Sequence, residues 1–337
     1  MTDTLSQMFL HFTSTYLKDP LLLHKIEGRY TPISTAEFAR RVKSLALGLK
    51  DLGVNPGDKL VLLAENGPGW IMADYAALCL GAITVPIYTS LVPEQIKFII
   101  RDSDAKTVIT SDWSLREKVE AVKNDLPMVS FFLAFEEEPG QGWQPTREIM
   151  EKGKRLDTEN PGLFENLARS VRPDDLASII YTSGTTGIPK GVMLSHANFV
   201  SNIKTLASIV DFNEKDTVLS FLPLSHVLER MVTFSFLFKG CTIAYAESVE
   251  TVAENLIEVR PTIMVSVPRL FEKIYAKVMD NVLAASKLKK KIFFWALRTG
   301  NAYREKLFKH QPIPASLRRK HSFAQRLVFS KILEKTS

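Results

Sequence analysis

The chain has 337 residues, 45% of them hydrophobic and 24% charged. These are the values of an ordinary globular protein, and they exclude a disordered chain, which would be poorer in apolar residues. The net charge of +6 hides an asymmetry: residues 286–337 hold 14 Lys and Arg against 2 Asp and Glu, whereas residues 1–285 hold 29 against 35.

Length alone allows two or three domains, or one large α/β domain with subdomains. Residues 1–12 carry Asp3, no basic residue and no apolar stretch of the kind a secretory signal needs. Ser34 and Glu37 have the spacing of a capping box. The helix that follows places Phe38, Val42, Leu45, Leu49 and Leu52 on one stripe and stops at Gly53. A short buried strand is expected over Lys59–Ala64. A helix over Trp70–Leu80, a strand over Ala82–Ile87, a helix over Pro93–Asp102 and a strand over Thr107–Thr110 follow. Tyr75–Pro93 is uncharged for long enough to raise a membrane span, but Gly81, Pro86 and Pro93 interrupt it. A buried helix, a turn and a buried strand account for it better, and the chain is expected to be soluble. Cys79 and Cys241 lie in no CxxC pair and sit among apolar residues. Both are expected to be buried free thiols of a reducing, cytoplasmic compartment.

Residues 136–174 are rich in Glu, Pro and Gly and read as a polar connector with one short helix at most. It divides an α/β unit over 1–135 from a second over 175–285. The second unit opens with a strand over Leu176–Thr182 that runs into a glycine-rich loop. A strand over Gly191–Ser195, a helix from His196, a strand over Val218–Leu222, a helix over His226–Phe238 and a strand over Cys241–Ala246 come next. Val249, Val252, Ala253, Leu256 and Ile257 then keep helical spacing, so that a helix is expected to lay this face on the sheet. A strand over Thr262–Val267 and a helix from Arg269 complete the unit. Residues 286–337 are read as a basic helical segment. Alternation of this kind predicts an α/β fold with a largely parallel sheet.

The strongest chemical signal is the string Tyr181-Thr182-Ser183-Gly184-Thr185-Thr186-Gly187-Ile188-Pro189-Lys190-Gly191. Its glycines let the backbone bend and approach a ligand. Its hydroxyls and successive backbone N–H groups can cradle an anion, and Lys190 adds a full charge. Each feature suits a polyphosphate. The string is not a Walker A loop, because Ile188 and Pro189 separate the last glycine from the lysine and a strand follows where that motif needs a helix.

Continued by Val192-Met193-Leu194-Ser195-His196-Ala197-Asn198, this string resembles the signature of the acyl-adenylate-forming superfamily, which includes acyl-CoA synthetases, adenylation domains of nonribosomal peptide synthetases and beetle luciferases. Leu222-Pro223-Leu224-Ser225-His226-Val227-Leu228-Glu229-Arg230 and Val267-Pro268-Arg269-Leu270-Phe271-Glu272-Lys273 resemble the versions found in AMP-forming long-chain fatty acyl-CoA synthetases. Residues 66–91 resemble the N-terminal region of the same group.

The resemblance implies the large N-terminal domain of the acyl-adenylate-forming fold, with parallel-rich sheets flanked by helices. It implies a long-chain fatty acid–CoA ligase that joins a carboxylic acid to ATP, releases pyrophosphate and passes the acyl group to CoA. Thr182, Ser183, Gly184, Thr185, Thr186, Gly187 and Lys190 would hold the β- and γ-phosphates. Thr182 would be the protein contact to Mg2+. Lys190 and His226 would act in catalysis, His226 beside the acid's carboxylate and the α-phosphate. His196 is expected to be structural, and His11, His24, His310 and His321 show no metal-ligand spacing. The helix over 226–238 either lines an acyl tunnel or is a plain core helix. Arg269 either holds an anion or makes a surface ion pair.

Three of the family's later segments find no match: the adenine-contacting one, the ribose-binding aspartate and the C-terminal domain with its catalytic lysine. The chain therefore reads as an N-terminal part, inactive alone, with an incomplete CoA site and an open sheet edge that favours self-association. Two alternatives stand beside this reading: a shortened, inactive protein that binds acyl chains or nucleotide, and a synthetase for another carboxylic acid. The basic 286–337 segment reads as solvated helix faces or as a peripheral contact with an anionic membrane. No nucleic-acid-binding motif accompanies the charge.

Overall fold

A computed structural model describes residues 2–182 and 189–330, apart from the side chains of residues 273, 274 and 277. Two units are defined by their internal contacts. The larger comprises residues 1–249 and 261–264, and the smaller comprises residues 250–260 and 265–337.

The larger unit is built on two sheets. One contains β1 (Leu22–Ile26), β2 (Arg29–Ile33), β10 (Thr217–Ser220), β11 (Thr242–Tyr245) and β12 (Ile263–Met264), in the order β12-β10-β11-β1-β2. The other contains β3 (Lys59–Leu63), β4 (Ile83–Pro86), β5 (Thr107–Thr110), β6 (Phe131–Ala134), β7 (Gln144–Pro145), β8 (Leu176–Thr182) and β9 (Lys190–Ser195), in the order β7-β6-β5-β3-β4-β8-β9. All pairings are parallel except β1 with β2 and β8 with β9. The strands β3, β4 and β5 are almost wholly buried apolar runs, the pattern of parallel strands covered on both faces.

The helices are α1 (Leu5–Thr15), α2 (Thr35–Asp51), α3 (Pro68–Cys79), α4 (Pro93–Asp102), α5 (Trp113–Glu120), α6 (Thr146–Glu159), α7 (Leu163–Ser170), α8 (His196–Ile209), α9 (Val227–Phe238), α10 (Val252–Val259), α11 (Pro268–Ala284), α12 (Lys287–Phe308) and α13 (Ala315–Ala324). In α2, Phe38, Val42, Leu45 and Leu49 are buried as the stripe predicts. The Ser34 hydroxyl accepts from the Glu37 N–H at 3.2 Å. The reciprocal arm of the expected capping box is replaced, because the Glu37 carboxylate is taken by Arg40 and Arg41. The uncharged stretch resolves as expected into buried α3, a turn at Gly81 with φ +73° and buried β4. Among the described residues no helix is long and apolar enough to cross a membrane. Cys79 and Cys241 are buried and free, and burial pushes the Cys241 thiol up to about 12.

The boundaries drawn from sequence are corrected in three places. First, the sheets exchange strands across the expected division: β1 and β2 from the first segment pair beside β11, and β8 and β9 from the second pair beside β4. Second, residues 136–174 are not a connector. They hold β7, α6 and α7, and α6 packs on α2 so closely that a Cβ on Gly153 would lie 1.8 Å from the Ser44 carbonyl oxygen. Third, the helix expected from Val249 onward begins at Val252, and along its stripe Val252 is buried whereas Ile257 is more than 40% exposed. In the smaller unit the expected basic helical segment is α12 and α13, joined through stacked Tyr303 and His321 rings 4.0 Å apart.

Candidate nucleotide and carboxylate site

The glycine-rich string begins at the end of β8 and finishes at the start of β9, two antiparallel partners. β8 and β9 pair from Ser178 opposite Leu194 to Thr182 opposite Lys190. Thr182 and Lys190 are therefore cross-strand partners at the mouth of the loop, and both are exposed. Ser183, Gly184, Thr185, Thr186 and Gly187 lie outside the described residues. Two contacts pack the hairpin's base closely. Tyr181 packs inward and donates its hydroxyl to Asp102 Oδ2 at 2.5 Å. Gly191 sits where a Cβ would approach Ile179 Cγ2 to 2.7 Å and the Tyr181 ring to 3.1 Å, so that the strand can follow Tyr181 only without a side chain there.

His226 is the N-cap of α9, and its Nδ1 accepts the Leu228 N–H at 3.1 Å. The ring is exposed and meets Tyr88 edge-on at 6.4 Å between centroids. Loops after three strand ends meet here. Asn66, just beyond β3, donates to the Leu222 carbonyl at 2.6 Å and accepts from the Leu224 N–H at 2.9 Å. Tyr88 follows β4, and residues 221–226 follow β10. Carboxyl ends of parallel strands are where α/β sheets bind ligands. Among the described residues no hydrogen bond joins His226 to Thr182 or Lys190.

Sequence reasoning assigned no role to the two residues that hold this turn. Glu229 is 3% exposed and accepts from the Ser220 hydroxyl at 2.6 Å. Burial pushes its carboxyl up to about 7, against the lowering effect of Ser220. Arg230 is fully buried and grips Asp74 with two bonds of 2.8 and 2.6 Å. A signal for both was available in the adjacent charges opening an otherwise apolar helix.

His196 is structural, as expected. It is fully buried, its Nδ1 accepts the Leu5 N–H at 3.2 Å, and burial lowers it to about 4. In α9, Phe234 packs on Tyr75 and Phe199, and Phe236 on Phe212, so these rings belong to the core. Arg269 is exposed in the smaller unit. No group of three or more His, Cys, Asp or Glu side chains able to hold a metal occurs among the described residues. Thr182 offers a hydroxyl, a donor type that a Mg2+ arriving on phosphate oxygens could take.

A family profile described as AMP-binding enzyme matches residues 14–322. The chain is 33% identical over 309 residues to the long-chain-fatty-acid–CoA ligase FadD15 of Mycobacterium bovis, covering 91% of this chain and 50% of that protein. It is 29% identical over 342 residues to the peroxisomal long chain acyl-CoA synthetase 7 of Arabidopsis thaliana, covering 98% and 47%. The chain thus spans about half the length of these curated relatives. Among solved structures, the inhibitor-bound N-terminal domain of FACL13 from Mycobacterium tuberculosis superposes with a TM-score of 0.66 at 25% identity, over 80% of this chain and 64% of that one. The long-chain-fatty-acid-CoA ligase FadD1 of Archaeoglobus fulgidus shares the fold with a TM-score of 0.69 at 24% identity, over 84% and 54%. With the profile spanning most of its length, the chain belongs to the AMP-binding enzyme family.

Proposed function

We propose that this chain supplies the phosphate-binding and carboxylate-activating part of an ATP-dependent long-chain fatty acid–CoA ligase. The observation that carries the proposal is the β8–β9 hairpin, which sets Thr182 opposite Lys190 at the mouth of a Gly/Ser/Thr loop. The loop would hold the β- and γ-phosphates of ATP with Lys190 as counter-charge, and Thr182 would offer its hydroxyl to Mg2+, which would supply charge neutralisation at the phosphates. The fatty acid carboxylate and the α-phosphate are both anions, so the reaction needs charge offset and alignment before the carboxylate oxygen can attack phosphorus. His226, exposed at the first turn of α9, stands for the group beside the reacting oxygens. Pyrophosphate leaves, and the thiol of CoA then displaces AMP from the acyl-adenylate. The names of the relatives support the fatty acid and CoA assignments.

The buried free cysteines support a reducing, cytoplasmic setting. The basic residues of 286–337, with Leu307 and Phe308 exposed among them, support peripheral contact with an anionic membrane, checked by vesicle co-sedimentation at low and high salt.

The test is fatty acid-dependent ATP–pyrophosphate exchange in a full-length relative whose corresponding segment is replaced by this chain. Exchange that needs a long-chain acid and falls at least about 100-fold in Lys190→Ala is expected. Exchange indifferent to Lys190→Ala removes the loop from the chemistry, and exchange with aryl or amino acids alone overturns the substrate.

A further inference from the structure

A buried ion pair is a poor device for stability, because desolvation consumes most of its Coulomb energy and apolar replacements often do as well. Asp74 and Arg230 are both 0% exposed, so their presence points to a geometric purpose. Arg230 Nε and Nη2 grip the two oxygens of Asp74 in α3. Its Nη1 donates to Ser178 Oγ at 2.6 Å, and its Nη2 donates to Thr84 Oγ1 at 2.7 Å. Ser178 Oγ in turn donates to the Thr84 carbonyl at 2.8 Å. Thr84 and Ser178 are the registered partners of β4 and β8, so one guanidinium clasps the junction through which the loop-bearing strand enters its sheet. The rings of Trp70, Phe199 and Phe234 surround the cation at 5.1–5.8 Å and fix its plane.

The other end of this clasp is the His226 turn. The Arg230 N–H donates to the His226 carbonyl at 3.2 Å, closing the first turn of α9. One residue earlier, Glu229 holds the same turn to Ser220 of β10, in the other sheet. Adjacent residues thus pin one helical turn to two sheets, and the turn presents His226.

We propose that Arg230, with Asp74, is a positioning residue that sets the His226 turn in register with β8, the strand that carries the phosphate loop. The inference rests on the reading of that loop and of His226 given above. Removing the clasp releases the His226 turn while leaving the hairpin to hold phosphate.

The experiment is a mutant cycle on MgATP affinity of the 337-residue chain, read by calorimetry, with thermal unfolding as a check of fold. Arg230→Met alone strands a charged Asp74 in the core, so the paired variant Asp74→Leu/Arg230→Met is used. Arg230→Lys, which keeps the charge without the fork, is the second background. His226→Ala is expected to weaken MgATP about tenfold in the intact chain. The same substitution is expected to cost less than about twofold in the paired background and an intermediate factor in Arg230→Lys. Lys190→Ala is expected to keep its full effect in all three. An equal His226→Ala penalty in every background overturns the proposal, as does no penalty in the intact chain. Should the paired variant unfold, the Arg230→Lys background decides by the same criterion. A chain whose MgATP affinity ignores Lys190→Ala overturns the phosphate-loop reading itself, and the proposal falls with it.

Discussion

At the scale of single residues, the turn that opens α9 concentrates the unusual electrostatics. Glu229 is buried with one hydroxyl partner and is pushed from its ordinary value of 4.5 up to about 7. A carboxyl raised in the folded state binds more protons than in the unfolded state between those values, so folding stability falls as pH rises from about 4.5 to about 7. Wild-type stability relative to Glu229→Gln is therefore expected to drop by about 3 kcal/mol across that window, measured by urea unfolding at a series of pH values. A difference that is flat with pH contradicts the assignment. His196, lowered to about 4, has the opposite slope and loses stability as pH falls from about 6.5 through 4, which is why the comparison is made between variants. The adjacent charges at the start of an apolar helix were legible from sequence, but their burial was not. A Glu-Arg pair at a helix start looks like a solvated first turn, and only the two sheets closing on it from opposite sides make it buried.

At the scale of elements, local pattern carried far. The apolar run over Leu176–Thr182, the stripe of α2 and the Pro-initiated α4 each report a local preference that the fold does not oppose. The N-terminal elements were missed although Leu5, Met8, Phe9 and Phe12 keep helical spacing and are buried. The hairpin between β1 and β2 turns on Glu27 and Gly28, both at positive φ, a use of Glu that turn chemistry rarely signals. The 136–174 stretch was misread because its Pro and Gly residues do different work: Gly153 is a helix-contact residue rather than a breaker. It and Gly48 let α6 and α2 approach to backbone contact, with a Gly48 Cβ due to fall 2.0 Å from the Ile149 carbonyl oxygen. Gly153→Ala is expected to destabilise the chain by about 3 kcal/mol despite the better helix propensity of alanine. A rise in Tm for this variant would contradict the packing described.

At the scale of the whole molecule, the order of strands departs most from the order of the chain. Residues 22–33 complete a sheet whose other strands come after residue 216, and residues 176–195 complete the sheet begun at residue 59. Such pairings depend on contacts between distant segments, which no local periodicity encodes. The exchange places β8, which leads into the proposed phosphate loop, and the α9 turn that carries His226 in one unit, joined through Arg230, Ser178 and Thr84. The motif strings suggest chemistry because the loop's composition suits an anion, whereas the clasp beneath them depends on separate segments meeting.

The most direct measurement is the affinity of the 337-residue chain for MgATP by isothermal titration calorimetry, compared with Lys190→Ala. A charge-assisted contact to phosphate is worth about 1.5–3 kcal/mol, so the account predicts binding by the unsubstituted chain and a loss of roughly 10- to 150-fold in the variant. Equal affinities in the two proteins, or no binding by either, would contradict a phosphate site at the β8–β9 hairpin.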